Sequence, residues 1–368
     1  MKKFKNVFGS GTMRTGGSLV CNLLSVHREI IILRNVFFHF FRHIYKEYDP
    51  ISNKGNLYKL SGELSTRLKF RTNIIIDKNL FFNNLLKRKP KNYSDLYDCL
   101  IKTYLSKIPG KRIIGEYANG EWRKIGIFLN FDKKNIAFHI LRDPRAMLSS
   151  WKKRTFSKGY KYLNAIFNWI DSADYAFKYK KKYGYKRFLL IKFEDIHLNP
   201  KFSSKRICNF FGVKFDKNMI TPKRWKKLLN NNFLSTNVSA YNSKKAIYGF
   251  SKNRIDVWKN NLEIWEIDLI EYLCKSRMKK LGYKVSEKQT SFYKKGLKII
   301  SNDFLLRKRL KFFQRYNRAT DEKLNNAKDP KNWAVSVKNI NKKFKDTPEY
   351  KSYIEEIKLI NKESRHIN

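Results

Sequence analysis

The sequence predicts an α/β protein, a three-layer fold with a central, mostly parallel sheet flanked by helices, followed by a helical C-terminal extension. Three observations carry this. Residues 4–26 read as a short apolar strand, a glycine-bearing loop and a helix. A second strand, turn and helix follow at residues 135–153. Two more short apolar strands, at residues 112–115 and 187–191, each adjoin a helical pattern. Strands alternating with helices are the signature of a parallel sheet covered on both faces.

The first strand spans residues 4–8 and the loop residues 9–17; Leu19, Leu23, Leu24 and Val26 then recur at helical spacing. Residues 135–141, a run of buried type, lead into the turn Arg142-Asp143-Pro144 and a helix over residues 145–153. Pro144 suits a first helical turn and Asp143 its N-cap. Residues 200–212 and 260–281 read as helices, the second closing on Leu281-Gly282-Tyr283 with glycine at the C-cap. Beyond about residue 287 the chain changes character. Residues 291–318 mix Phe292, Leu297, Ile300, Phe304, Leu306 and Leu310 with nine Lys/Arg, and the remainder is polar and lysine-rich. The chain therefore divides into a domain of residues 1–286 and a basic, mostly helical extension of residues 287–368, read as having no core of its own. No internal repeat is present.

Composition sets limits. Of 368 residues 42% are hydrophobic and 15% aromatic, enough for a sizeable core, which argues against global disorder. Lys+Arg number 80 against 31 Asp+Glu, a formal charge of +49 that favours an anionic partner. Abundant lysine, asparagine and isoleucine are also what an AT-rich genome produces, so charge does not choose among nucleotide, glycan, nucleic acid and lipid. The four cysteines, Cys21, Cys99, Cys208 and Cys274, are far apart and suggest neither a zinc site nor a disulfide framework. With no long apolar run either, the expectation is a soluble, cytoplasmic protein, with contact between residues 291–318 and an anionic membrane surface left open.

The loop Gly11-Thr12-Met13-Arg14-Thr15-Gly16-Gly17-Ser18 fits the phosphate-loop pattern G-x-x-x-x-G-K-[ST] except that Gly17 stands where the lysine belongs. A loop of this kind before a helix offers unpaired N–H groups and the positive end of the helix dipole to an anion, and Thr15 and Ser18 add hydroxyl donors. Loss of the lysine argues against a triphosphatase. Arg14 places a forked cation inside the loop instead, which suits a compact terminal anion. Arg142 at a strand end and Ser150 eight residues later, two turns into the next helix, can face one spot and clamp a second phosphate.

Residues 7–24, VFGSGTMRTGGSLVCNLL, resemble the 5′-phosphosulfate loop of sulfotransferases that use 3′-phosphoadenosine 5′-phosphosulfate (PAPS), and ILRDPRAMLSSW resembles their 3′-phosphate segment. The resemblance spans residues 4–285. It implies a P-loop-like sulfotransferase architecture in which Arg14, Thr15, Gly16, Gly17, Ser18 and Leu19 surround the sulfonate and 5′-phosphate. Arg142 and Ser150 would hold the 3′-phosphate, joined by Arg254 from the segment SKNRIDVWK, with Trp258 in the core. Phe193-Glu194-Asp195-Ile196 resembles a family stretch of structural role. The implied activity is transfer of the sulfonate from PAPS to an acceptor hydroxyl, on a carbohydrate or glycolipid, with Arg14 as the catalytic cation and no metal required.

Two departures from the family stand out. A base for the acceptor's proton is expected shortly after the first helix, where Leu33, Arg34 and Asn35 stand; His39, His43 and Glu47 are the nearest alternatives, and His27 reads as structural. Tyr117 occupies the place of a lysine near the reaction centre in many relatives, leaving Arg123 or Lys124 to replace that cation or turnover to lean on Arg14. Two other readings stay open: a nucleotide-dependent kinase on the same sheet, against which Gly17 counts, and a non-enzymatic polyanion- or nucleic-acid-binding protein, for which no module signature is present.

Overall fold

The computed structural model describes residues 6–34, 48–72, 77–106, 108, 110–153, 159–228, 249–288, 290–319 and 348–367. Five strands form one sheet: β1 (Val7–Gly11), β2 (Ile30–Arg34), β3 (Ile113–Asn119), β4 (Ile136–Leu141) and β5 (Phe188–Lys192), in the order β2-β3-β1-β4-β5 with every neighbouring pair parallel. All six residues of β4 are buried, as expected of a parallel strand covered on both faces.

Alternation within the strands assigns the two faces. Phe8, Ile31 and Leu33 face a cluster built with α2 (Lys54–Thr72), α3 (Lys78–Arg88), α4 (Tyr93–Leu105) and α5 (Ile125–Phe131). Val7, Ile30 and Ile32 face the opposite cluster, with α1 (Gly17–Ser25), α8 (Phe193–Leu198) and α9 (Pro200–Phe211). A third cluster joins α6 (Pro144–Lys152) and α7 (Asn164–Arg187) to α12 (Ile264–Lys280).

The predicted strands are all present, with shifted bounds. Residues 1–5 lie outside the described residues, and β1 runs on to Gly11. Glycine is a poor strand former, but Phe138 of β4 packs across β1 where a Cβ at Gly9 would stand 2.1 Å from its ring. β3 likewise continues four residues past Gly115, and β2, which the sequence reading left unassigned, is the edge strand beside it. Asp143 accepts from the Arg145 N–H at 2.8 Å and caps α6, with Pro144 in its first turn.

Residues 291–318 fold as α13 (Tyr293–Asn302) and α14 (Phe304–Tyr316). Ile300, Leu306 and Leu310 are buried in the same cluster as α7 and α12, so this stretch shares that core. Arg309 fastens α14 to α7 through Asn164 Oδ1 (2.5 Å) and Asn168 Oδ1 (2.8 Å). The outer face of α14 exposes Phe304 and Leu305 beside Arg307, Lys308, Lys311 and Arg315. Helix α15 (Pro348–Glu363), with α10 (Pro222–Leu228) and α11 (Asn253–Asp256) completing the numbering, returns to α2, where Tyr58 donates to Glu363 at 2.7 Å and Ile360 is buried over Gly62. Among the described residues no helix is long and apolar enough to cross a membrane.

Candidate active site

Strand order reverses around β1, which puts a crevice beyond the carboxyl ends of β1 and its neighbour β4. Gly11 pairs in register with Ile140, so the loop after β1 and the Arg142 turn after β4 leave the sheet at one level. The loop is bent by two residues in the left-handed region, Arg14 (φ 72°) and Gly16 (φ 94°), and closed by a Thr15 hydroxyl that donates to the Thr12 carbonyl at 2.7 Å. Arg14 is not glycine, so its conformation carries strain at the residue whose side chain the loop presents. No side chain caps α1, leaving its first N–H groups turned to the crevice. Ser18 is half-buried there, and Leu19 is buried in the core behind it.

Gly16 and Gly17 are required by close approach. A Cβ at Gly16 would lie 2.2 Å from the Phe193 ring, and one at Gly17 would lie 2.3 Å from the Tyr117 ring. Tyr117 is fully buried and stacked on Phe138 with ring centroids 6.1 Å apart. The sequence placed Tyr117 near the reaction centre; in the fold it underlies α1 and fills the space that a lysine at position 17 would enter. Arg123, one expected substitute cation, is committed to Asp171 at 2.8 Å, and Lys124 lies half-buried in the turn before α5.

Arg14, Ser150, Arg142 and Arg254 converge. Arg14 Nε donates to Ser150 Oγ at 2.8 Å; Arg142 Nη1 donates to the Arg14 carbonyl at 3.2 Å and its Nη2 to the Arg254 carbonyl at 2.7 Å. Arg142 and Ser150, expected to face one spot, both meet Arg14, whose Nε bonds the serine and whose carbonyl bonds Arg142. Arg142 is 7% exposed, and its Nε has no hydrogen-bond partner among the described residues. Burial pushes the Arg142 guanidinium down to about 10, against the pull of Glu194 and Asp143, and Arg254 pushes it further; Arg254 is itself lowered by burial. Arg142 remains a cation at neutral pH.

A second tier holds Arg142 in place. Its carbonyl accepts from Trp169 Nε1 at 2.8 Å, and its guanidinium lies 4.3 Å from the Phe193 ring centroid. Glu194 accepts from the Asp143 N–H at 2.8 Å and from the Tyr283 hydroxyl at 3.0 Å, and burial raises its carboxyl above the usual range. Arg145 is wholly engaged, by Asp143 (2.6 Å), Glu271 (2.7 Å) and the Trp258 ring (4.1 Å), so it braces the turn. Trp258 is half-buried at the core's margin.

Of the expected base positions, Leu33 is buried in β2 and Arg34 ends that strand; His27, read as structural, is buried with Nε2 2.9 Å from the Lys214 carbonyl. Asn35, His39, His43 and Glu47 lie outside the described residues. Among the described residues no group of His, Cys, Asp and Glu is arranged to hold a metal. Sequence reasoning missed His197, beside Arg142 and Arg254, because a lone histidine 54 residues from its partner gives no local signal.

The sheet is parallel throughout, with a glycine-bent loop and three arginines, one of them buried, at its switch point. The chain belongs to the sulfotransferase family, whose profile matches residues 6–217, more than half of it. No curated protein matches in sequence. Among solved structures it resembles the sulfotransferase domain of the Synechococcus PCC 7002 olefin synthase, with TM-score 0.52, 17% identity, and coverage of 76% of this chain and 95% of that one. It also resembles the sulfotransferase domain from the curacin biosynthetic pathway, with TM-score 0.50, 13% identity, and coverage of 78% and 100%. These likenesses show the fold; sulfonyl transfer follows from the family.

Proposed function

We propose that PAPS is the donor, that Arg14 with the loop and α1 holds its 5′ end, and that Arg142, Arg254 and Ser150 hold the 3′-phosphate. The observation that carries this reading is the buried Arg142, whose Nε lacks a partner among the described residues and whose two hydrogen bonds go to backbone carbonyls, next to a second arginine. A cation so placed fits a bound anion. The glycines fit too, since side chains at Gly16 and Gly17 would strike the Phe193 and Tyr117 rings and force the loop out of this shape.

PAPS supplies a sulfonyl group on a phosphate leaving group. Arg14 exchanges its bond to Ser150 for oxygen atoms of the bound group and offsets negative charge there. The N–H groups of Gly17, Ser18 and Leu19 and the hydroxyl of Ser18 orient the same end, with the α1 dipole behind them and Thr15 holding the loop closed through Thr12. Removing a donor placed this way costs about 10²–10³ in rate. Arg14 would be the cation facing the phosphate that leaves.

For the acceptor we propose a hydroxyl of a carbohydrate or glycolipid. The exposed Phe304 and Leu305 among cations on α14 support contact with an anionic membrane surface bearing it, residues 1–286 forming the transferase domain and 287–368 the extension. A radiolabelled-sulfonate assay over glycan and glycolipid acceptors tests the reading. Labelled product with wild type, lost in Arg14→Ala, is the expected outcome, and equal labelling by Arg14→Ala would overturn it.

A further inference from the structure

His197 on α8 is 3% exposed, and its Nδ1 accepts a hydrogen bond from the Ser251 backbone N–H at 2.8 Å. Ser251 begins the turn into α11, where its carbonyl accepts from the Arg254 N–H at 3.2 Å. The Arg254 carbonyl then takes the hydrogen bond from Arg142. One imidazole thus pins the short segment that brings Arg254 beside Arg142. The rings repeat the connection: His197 packs on Phe193 with centroids 4.3 Å apart, and the opposite edge of the segment contributes Phe250 at 6.4 Å. Phe193 in turn carries the Arg142 guanidinium and closes against Gly16 of the loop.

An accepting Nδ1 requires the neutral ring with its proton on Nε2. Burial first, then the nearby charges of Arg254 and Arg142, pushes His197 down to about 4, so the ring is neutral at neutral pH. A histidine serving only the core would need no acceptor on this edge; an aromatic ring would pack as well.

We propose that His197 is a positioning residue for the donor site: by accepting the Ser251 N–H it fixes the segment that carries Arg254, and so sets the preference for a nucleotide bearing a 3′-phosphate over one without it. This rests on the reading of Arg142 and Arg254 as 3′-phosphate ligands. Loss of the tether frees Arg254 directly and reaches the Arg14 loop only through Phe193, so discrimination falls more than affinity for the 5′ end.

The test compares affinities of the full chain for 3′-phosphoadenosine 5′-phosphate (PAP) and adenosine 5′-phosphate by calorimetry, with thermal unfolding of each variant as a check on folding. Wild type should prefer PAP by about 100-fold, the span of two charge-assisted hydrogen bonds. His197→Ala should lower that ratio about tenfold and leave adenosine 5′-phosphate affinity within about threefold. His197→Asn, whose Oδ1 can occupy the place of Nδ1, should restore the ratio, while His197→Gln, with its acceptor one bond further out, should not. These last two keep the proposal testable even if the alanine variant fails to fold. A wild-type ratio in His197→Ala, or equal impairment of the asparagine and glutamine variants, overturns the positioning role. A wild type that binds both nucleotides equally overturns the 3′-phosphate reading itself, and the proposal with it.

Discussion

Arg142→Met removes a charge while keeping an unbranched side chain over Phe193. In the folded chain, lowering of the guanidinium from 12.5 to about 10 is the balance of burial against the attraction of Glu194 and Asp143, and it sets roughly 3 kcal/mol against the charged form. The two bonds to the Arg14 and Arg254 carbonyls return a similar amount, at about 1.5–3 kcal/mol for each bond to a charged group. The nearly cancelling terms make Arg142 a poor stabiliser of the unliganded protein. The variant should melt within about 5 °C of wild type. Binding of PAP should weaken much more, by about 10²–10³, because the bound phosphate loses a buried forked donor. Adenosine 5′-phosphate should lose less than about fivefold. Calorimetry with both nucleotides and a thermal scan read all three. A variant that binds PAP within threefold of wild type, or loses equal affinity for both nucleotides, would refute the assignment of Arg142 to the 3′-phosphate.

Arg14→Ala should lower turnover by about 10²–10³ while weakening PAP less, measured by single-turnover kinetics at saturating donor; unchanged turnover would remove Arg14 from the chemistry. Gly17→Lys, which restores the phosphate-loop lysine, should cost at least about 1–3 kcal/mol in urea unfolding because its Cβ meets the buried Tyr117 ring, and Tyr117→Ala in the same chain should recover part of the loss. Stability as strong as wild type in Gly17→Lys alone would contradict that packing. Acid should destabilise the fold through His139 and His197, held neutral at about 3 and about 4. Their folded values lie below the unfolded one, so stability is intact above about pH 6.5 and each removes about 2 kcal/mol between pH 6.5 and 5. Glu194, raised by burial, acts in the opposite direction, so the comparison is with His139→Gln, which should lose its share of the slope in urea midpoints taken at pH 7 and 5; an unchanged slope would count against it.

The sheet was legible because strands buried on both faces announce themselves as apolar runs next to turns, and Arg142, Asp143 and Pro144 mark where β4 ends. β2 was not, since Ile30–Arg34 follows α1 after only a tight turn and reads as its continuation. Residues 291–318 looked coreless because the apolar residues that bury against α7 and α12 are interleaved with cations, and only the tertiary packing sorts Leu306 and Leu310 inward from Phe304 and Leu305 outward. Gly17 and Tyr117 looked like two unrelated departures from known motifs. They are one packing decision, since a large ring at 117 excludes a side chain at 17. The candidate arginines could be named from spacing, yet their mutual geometry could not: Arg14 reaches Ser150, and His197 tethers the Arg254 segment, through contacts 136 and 54 residues apart in the chain.

On the proposed reading the crevice takes a doubly phosphorylated nucleotide carrying a compact terminal anion, with arginines in place of the phosphate-loop lysine. The most direct measurement is competition between PAP and magnesium-ATP for the wild-type chain at equilibrium. PAP should bind at least about 100-fold more tightly, with the preference lost in Arg142→Met. Tighter binding of magnesium-ATP, or a preference that survives in Arg142→Met, would contradict it.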